Sequence, residues 1–147
     1  MPYECFISTY QAITKQENLP YLVAVDSQTS NILGYANAHG FRGSKGAYRH
    51  TVEISLFCHP THLSKGVGSK LLKSLINALY KPLEHSSLRS YPETEPPPIK
   101  QVLAVMAVDE NGKRNGLALE EFYEKHGFKL VQLHHISTSF TSLADVL

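Results

Sequence analysis

Between Tyr48 and Cys58 the chain alternates strictly enough to set its own geometry. Val52, Ile54, Leu56 and Cys58 fall on one side of a period-two pattern, and Thr51, Glu53, Ser55 and Phe57 fall on the other. That pattern predicts a strand with one buried face. His59-Pro60 ends it, because proline has no N–H to give to a ladder. The loop and helix start Ser64-Lys65-Gly66-Val67-Gly68-Ser69-Lys70 come next, and Val67, Leu71, Leu72, Leu75, Ile76 and Leu79 then recur at helical spacing through Tyr80. A strand, a glycine-bearing loop and a helix N-terminus together make an anion-binding arrangement. Unsatisfied N–H groups and the positive end of the helix dipole face outward, and glycine lets a phosphate approach the backbone.

The rest of the chain can be read around that unit. Residues from about Tyr3 to Gln16 have weak helical spacing through Phe6, Tyr10 and Ile13. Leu22-Val23-Ala24-Val25 and Ile32 to Ala38 read as two strands joined by the polar turn Asp26 to Asn31, and so as an antiparallel hairpin. A Gly/Lys loop, Gly40 to Gly46, precedes the alternating strand. From Lys81 to Ile99 the composition shifts to Ser, Glu and five prolines, with Pro96-Pro97-Pro98 together. Few apolar groups there offset the entropy of ordering, so a Pro-rich insertion loop is expected over about 81–99. Gln101 to Val108 is apolar on both faces and predicts a central strand. A loop from Asp109 to Asn115 follows, then a helix from about Gly116 to His126 stopped by Gly127. Phe128 to His134 reads as a further strand, with a last short one in the tail from Thr138 to Leu147. The order is α, β, β, β, α, β, α, β. It describes one domain over residues 1–147, of the α/β (α+β) class, with a largely antiparallel central sheet flanked by helices.

Composition excludes several functions. Hydrophobic residues make up 42% and charged residues 18% of 147, and the net charge is +1. No global field therefore draws the chain to nucleic acid or to a membrane surface. No run approaches the roughly 18–20 apolar residues of a membrane helix. The N-terminus carries no basic segment followed by an apolar one. Cys5 and Cys58 are the only cysteines and lie far apart, so a reducing, cytoplasmic setting is expected. The eight histidines, including His59…His62 and His134-His135, form no metal-ligand spacing, and no metal is expected.

The glycine loop fails two of the three ligand patterns that use such a site. A P-loop needs GxxxxGK[ST], but Ser69 follows Gly68 and Leu63 stands where the first glycine belongs. A dinucleotide fingerprint needs a third glycine where Leu71 stands. A pyrophosphate held without a Walker lysine remains. A Gly-x-Gly that merely tightens the turn into a helix is the plainer alternative.

The ordered set Phe41-Arg42, Ala47-Tyr48-Arg49-His50-Thr51-Val52-Glu53-Ile54-Ser55, Leu56-Phe57-Cys58, His59-Pro60 and Gly66-Val67-Gly68 is more specific than the glycines alone. From Leu19 to about Leu147 the chain resembles the GNAT N-acetyltransferases, and most of all the phosphinothricin and methionine sulfone/sulfoximine acetyltransferases. The run Phe122-Tyr123-Glu124-Lys125-His126-Gly127-Phe128 is similar to that family's second helix and its Gly-Phe exit.

The resemblance implies direct transfer of an acetyl group from acetyl-CoA, as co-substrate, to the primary amine of a small amino-acid-like molecule, with a homodimer as the family's assembly. It assigns Leu56, Phe57 and Cys58 to the pantetheine arm and thioester, Ser64, Lys65, Gly66, Val67, Gly68 and Ser69 to the pyrophosphate, and Asn115 to the coenzyme arm. Glu53 is the candidate base, directly or through a water. Its side chain is expected to share a strand face with Thr51 and Arg49, both candidates to contact the substrate, and a structural pairing with Arg49 is the alternative. Arg42 and Arg49 are candidates to clamp a substrate carboxylate or phosphinate, because guanidinium matches such oxyanions bidentately. A solvated surface arginine is the other reading. Tyr123 is a candidate to protonate the departing thiolate or, alternatively, a core aromatic. Cys58 reads as a buried apolar residue rather than a nucleophile.

The chain also departs from the family pattern. Leu63 stands where Gln or Arg is usual, Asn115 is one residue farther from Tyr123 than usual, and residues 81–99 read as an insertion. A strand and helix usual at the family's start have no counterpart here, and they form one wall of the acceptor pocket. Two alternatives follow from that: a non-catalytic CoA-binding or interaction domain, and an acetyltransferase acting on peptide or protein amines.

Overall fold

The computed structural model describes residues 3–43, 46–80, 98–108, 111, 117–136 and 139–146. The N-terminal segment forms helix α1, Tyr3–Gln11, which continues as a π-turn over Ala12–Gln16. Strands β1 (Tyr21–Val25) and β2 (Ile32–Gly40) form the expected hairpin. Its connection is tied by Asp26, whose carboxylate accepts from the N–H groups of Gln28 and Thr29 at 2.8 and 3.0 Å. Those bonds favour the charged carboxylate and lower its pKa.

Strand β3 runs from Thr51 to Cys58 and helix α2 from Val67 to Tyr80. Beyond them lie β4 (Gln101–Val108), α3 (Ala118–Lys125), β5 (Lys129–Ile136) and β6 (Ser139–Val146). The six strands form one sheet in the order β1-β2-β3-β4-β6-β5. Only β3 and β4 are parallel, as the α2 crossover between them requires. The sheet is therefore mixed and mostly antiparallel, in agreement with the sequence.

Two elements differ from expectation. The alternating segment enters the sheet at Thr51 rather than Tyr48. Gly46–Tyr48 is a 3₁₀ turn, Gly46 has φ +64°, and the N–H groups of Lys100 and Gln101 both donate to the carbonyl of His50. The turn is closed locally by the Arg49 N–H donating to the Gly46 carbonyl at 3.4 Å, and the Gln101 bond to His50 is the first of the β3–β4 ladder, so pairing starts only at Thr51. The tail, expected to hold only a short strand, contributes the eight-residue β6, which lies inside the sheet between β4 and β5. Of the insertion loop expected over 81–99, residues 81–97 lie outside the described residues. Its exit is fixed where His50 Nδ1 meets the carbonyl oxygen of Pro98 at 2.8 Å.

The core follows from the two periodicities. Leu71, Leu72, Leu75 and Leu79 are the buried stripe of α2. They pack against Ala36, Ala38, Val52, Ile54, Val102, Ala104 and Met106 from the sheet, and against Tyr123 and Phe128. Leu72 and Leu75 are wholly buried. Truncating either to Ala costs about 2–5 kcal/mol, so this stripe holds the loop before α2 firmly against the strands. The opposite face of the sheet carries α1, whose Phe6 and Tyr10 rings meet Tyr21 edge-on at 6.1 and 5.3 Å.

Candidate functional site: an open strand edge beside a helix start

The site begins with a pairing that stops. β3 and β4 pair from Thr51↔Gln101 to Ile54↔Ala104 and no farther. On its other edge β3 stays paired with β2 to Gly34↔Cys58. β4 continues to Val108, paired with β6. Ser55 to Cys58 thus present one backbone edge that no described strand covers. An uncovered edge is a template for an extended chain carrying amide groups.

The helix start lies next to that edge. Ser64 has φ +61° and Gly66 has φ +79°, so the loop curls sharply just before α2. The first helical bond runs from the Lys70 N–H to the Gly66 carbonyl at 3.1 Å, which leaves the N–H groups of Val67, Gly68 and Ser69 ahead of the ladder. No acidic residue occupies the first turn of α2, so no carboxylate competes for the positive end of the dipole. Gly66 is a glycine because of its dihedral; a Cβ there would meet open space. Gly68 lies beside the end of β3, where a side-chain Cβ would make ordinary contact. A Cβ on it would lie 3.4 Å from Cys58 Sγ and 3.6 Å from the Phe122 ring. A groove of about 600 Å³ extends from here between α2 and β1, and Lys65, Lys70 and His62 are among its lining residues. It flanks the start of α2, on the β1 side.

Across β2 and β3 the polar face shows three rungs: His39↔Glu53, Asn37↔Ser55 and Tyr35↔Phe57. The Tyr35 and Phe57 rings stack at 5.4 Å. Glu53 is partly exposed, and its Oε2 stands 3.8 Å from His39 Nε2. Arg49, expected to share the strand face with Glu53 and its partner in the alternative reading, lies in the turn before β3, off the strand face. Its Nη1 donates to the Gly46 carbonyl at 3.2 Å. Thr51 is buried on the strand and donates through Oγ1 to Gln101 Oε1 at 3.3 Å. Arg42 is exposed, with φ +50°, and its guanidinium lies over the Phe41 and Tyr48 rings at 5.5 and 5.6 Å. Leu56 and Cys58 are partly buried, and Phe57 is exposed. Asn115 lies outside the described residues.

Tyr123 is placed by the end of its helix. Phe128 N–H donates to the Tyr123 carbonyl at 3.1 Å and Gly127 N–H to the Glu124 carbonyl at 2.9 Å, with Gly127 at φ +91°. This is a Schellman cap with its apolar contact, because the Tyr123 and Phe128 rings meet edge-on at 5.2 Å. Burial, helped by the nearby Cys58 thiol, pushes the Tyr123 phenol up to about 12. The phenol is therefore a proton holder at neutral pH. Cys58 is raised by burial too, so its sulfur stays a thiol. Among the described residues no three His, Cys, Asp or Glu side chains gather as a metal site.

A model of the acetyltransferase (GNAT) domain matches residues 17–130. The chain belongs to the GNAT acetyltransferase family. Within it, the L-amino acid N-acyltransferase of Escherichia coli is 44% identical over 57 residues, covering 39% of this chain and 33% of that protein. The L-methionine sulfoximine/L-methionine sulfone acetyltransferase of Salmonella typhimurium is 42% identical over 59 residues, 40% of this chain and 34% of that one. The matched segments thus span about a third of the length of these curated relatives. The fold is shared with a phosphinothricin acetyltransferase of Sinorhizobium meliloti solved with AcCoA. It has a TM-score of 0.66 and 24% identity, with 98% of this chain and 69% of that chain covered.

His39 is the residue that the sequence left unremarked. It emerges only when the β2–β3 register sets it opposite Glu53. Neither the Gly40 to Gly46 loop nor the spacing of the two strands fixes that register from sequence.

Proposed function

We propose that this chain is an acetyl-CoA-dependent N-acetyltransferase that moves an acetyl group directly to the primary amine of a small amino-acid-like acceptor. The observation that carries the reading is the open β3 edge from Ser55 to Cys58, ending beside the unsatisfied N–H groups that start α2. An extended pantetheine arm has amides to pair with the first, and a pyrophosphate suits the second. Ser64 to Ser69 hold the phosphates and Leu56 to Cys58 the thioester end, with Asn115 as a further contact to the arm.

Glu53 takes a proton from the acceptor ammonium, directly or through a water. The freed amine attacks the thioester carbonyl; the N–C bond forms and the C–S bond breaks. Tyr123, which its raised pKa keeps protonated, donates a hydrogen bond to the departing sulfur, and the thiolate takes its proton from solvent. Arg42 and Arg49 offer cationic partners for an acceptor carboxylate or phosphinate. Thr51, two residues before Glu53 on the same strand face, is the third candidate contact to the acceptor, although its hydroxyl is buried and bonded to Gln101. The acceptor class follows the relatives named for L-amino acids and for methionine sulfoximine and sulfone.

Calorimetry with acetyl-CoA, followed by thiol release with L-methionine sulfone, phosphinothricin and a peptide, tests the reading. Micromolar coenzyme binding and release with the two small acceptors are expected. Glu53→Gln should lower kcat by about 10²–10⁴-fold while coenzyme affinity survives. Binding without release on any amine marks a non-catalytic domain, and release with the peptide alone moves the acceptor class.

A further inference from the structure

His39 is not accounted for by any role described so far. It lies directly opposite Glu53 in the antiparallel β2–β3 pair, and its Nε2 is 3.8 Å from Glu53 Oε2. The two side chains are 35% and 28% exposed, so both reach solvent. Both residues are held by rigid backbone. The register runs unbroken from Gly34↔Cys58 to Gly40↔Val52, and Gly40 N–H, next in the chain to His39, donates to Glu17 Oε2 at 2.8 Å.

From these placements the geometry points to His39 as a positioning and proton-relay partner of Glu53. It does not touch the acceptor but resets the base after each turnover. The inference rests on the reading of Glu53 as the base. The steps balance as proton transfers alone. The ammonium N–H breaks as a carboxyl O–H forms on Glu53. That O–H then breaks as an N–H forms on His39 Nε2, and the imidazolium releases its proton to bulk water. At 3.8 Å the pair is beyond direct hydrogen-bond range, and a small side-chain rotation or one bridging water closes the gap. A histidine suits the task because one imidazole nitrogen can accept a proton while the other releases one. The other charged groups on the elements beside it are Glu17 and Lys15 of the π-turn segment, Arg42 in the turn after β2, and Arg49 ahead of β3. Glu17 is engaged with Gly40, Arg42 lies over the two rings, Arg49 bonds the Gly46 carbonyl, and Lys15 is exposed. Among the described residues none of them forms an ion pair with Glu53.

The test compares the full chain with its His39→Gln, His39→Ala and Glu53→Gln variants, using acetyl-CoA with L-methionine sulfone or phosphinothricin as acceptor. His39→Gln keeps size and polarity but carries no proton. It should lower kcat about tenfold, leave acetyl-CoA affinity by calorimetry unchanged, and change the acceptor KM less than twofold. Imidazole added to His39→Ala should restore several-fold of the lost kcat, which no purely structural role predicts. Wild-type kcat in His39→Gln, or a His39→Ala defect that imidazole does not relieve, overturns the relay. If Glu53→Gln is crippled while His39→Gln is not, only this inference fails. If Glu53→Gln itself turns over like the wild type, the underlying assignment of the base fails.

Discussion

Tyr123 and Phe128 meet edge-on at 5.2 Å, five residues apart across the Gly127 turn that ends α3. The contact closes the helix cap and at the same time buries the phenol near Cys58. One turn of chain therefore sets both the end of a helix and the proton affinity of a candidate acid.

That coupling predicts an alkaline signature. The folded chain holds the Tyr123 proton more tightly than the unfolded chain does, with a folded pKa of about 12 against 10.0. The resulting stabilisation is fully present below pH 10 and is lost as pH climbs through 12. Its ceiling is about 2–3 kcal/mol. Tyr123→Phe removes this component, so the difference in denaturant midpoint between variant and wild type should narrow above pH 10. Tyr21, also raised by burial, contributes to both proteins alike. A difference that stays constant to pH 12 would place the phenol in water.

Gly34 predicts a packing defect. A Cβ at this position would overlap the carbonyl oxygen of Phe57, and it would lie 3.2 Å from both Cys58 Cα and Leu71 Cδ1. Two of the three obstacles are backbone, so β2 and β3 would have to part. Gly34→Ala should cost about 1–3 kcal/mol, with Tm falling about 2–4 °C for each kcal/mol. Calorimetric melting checks it, and an unchanged Tm would contradict the strand contact.

Gly66 predicts a ligand effect with little packing cost. Its φ of +79° strains any L side chain, although the space around it is open. Gly66→Ala should turn the N–H groups of the loop and weaken acetyl-CoA binding about tenfold, or about 1.4 kcal/mol. At Gly68, by contrast, an added Cβ makes only ordinary contacts at 3.4 Å and beyond and no dihedral strain arises, so the strain argument applies to Gly66 alone. Equal coenzyme affinity in Gly66→Ala and wild type would remove the loop from the phosphate site.

How far sequence carried the reading differs by element. Helix α2 was legible to its ends, because five leucine and isoleucine positions repeat with one period and a glycine turn precedes them. The two faces of β3 were legible for the same reason, and so was the stop at Gly127. The start of β3 was not, because Tyr48-Arg49-His50 reads as extended while Gly46–Tyr48 closes a local turn and the partner strand, some fifty residues away, begins its pairing only at Thr51. The place of β6 between β4 and β5 was hidden too, since order within a sheet is a long-range property. The candidate site divides likewise. Its backbone parts follow local signals, whereas the meeting of His39 with Glu53 depends on a register that no local signal fixes.

The short parallel pairing has a mechanical consequence. In backbone hydrogen bonding, β1-β2-β3 and β4-β6-β5 are two panels joined along a hinge line four residue pairs long. A ligand lying in the wedge beyond Ile54 would act as a splint across both panels. Part of its binding free energy would then appear as stiffness of the whole sheet, and the shape of the wedge would depend on whether it is filled.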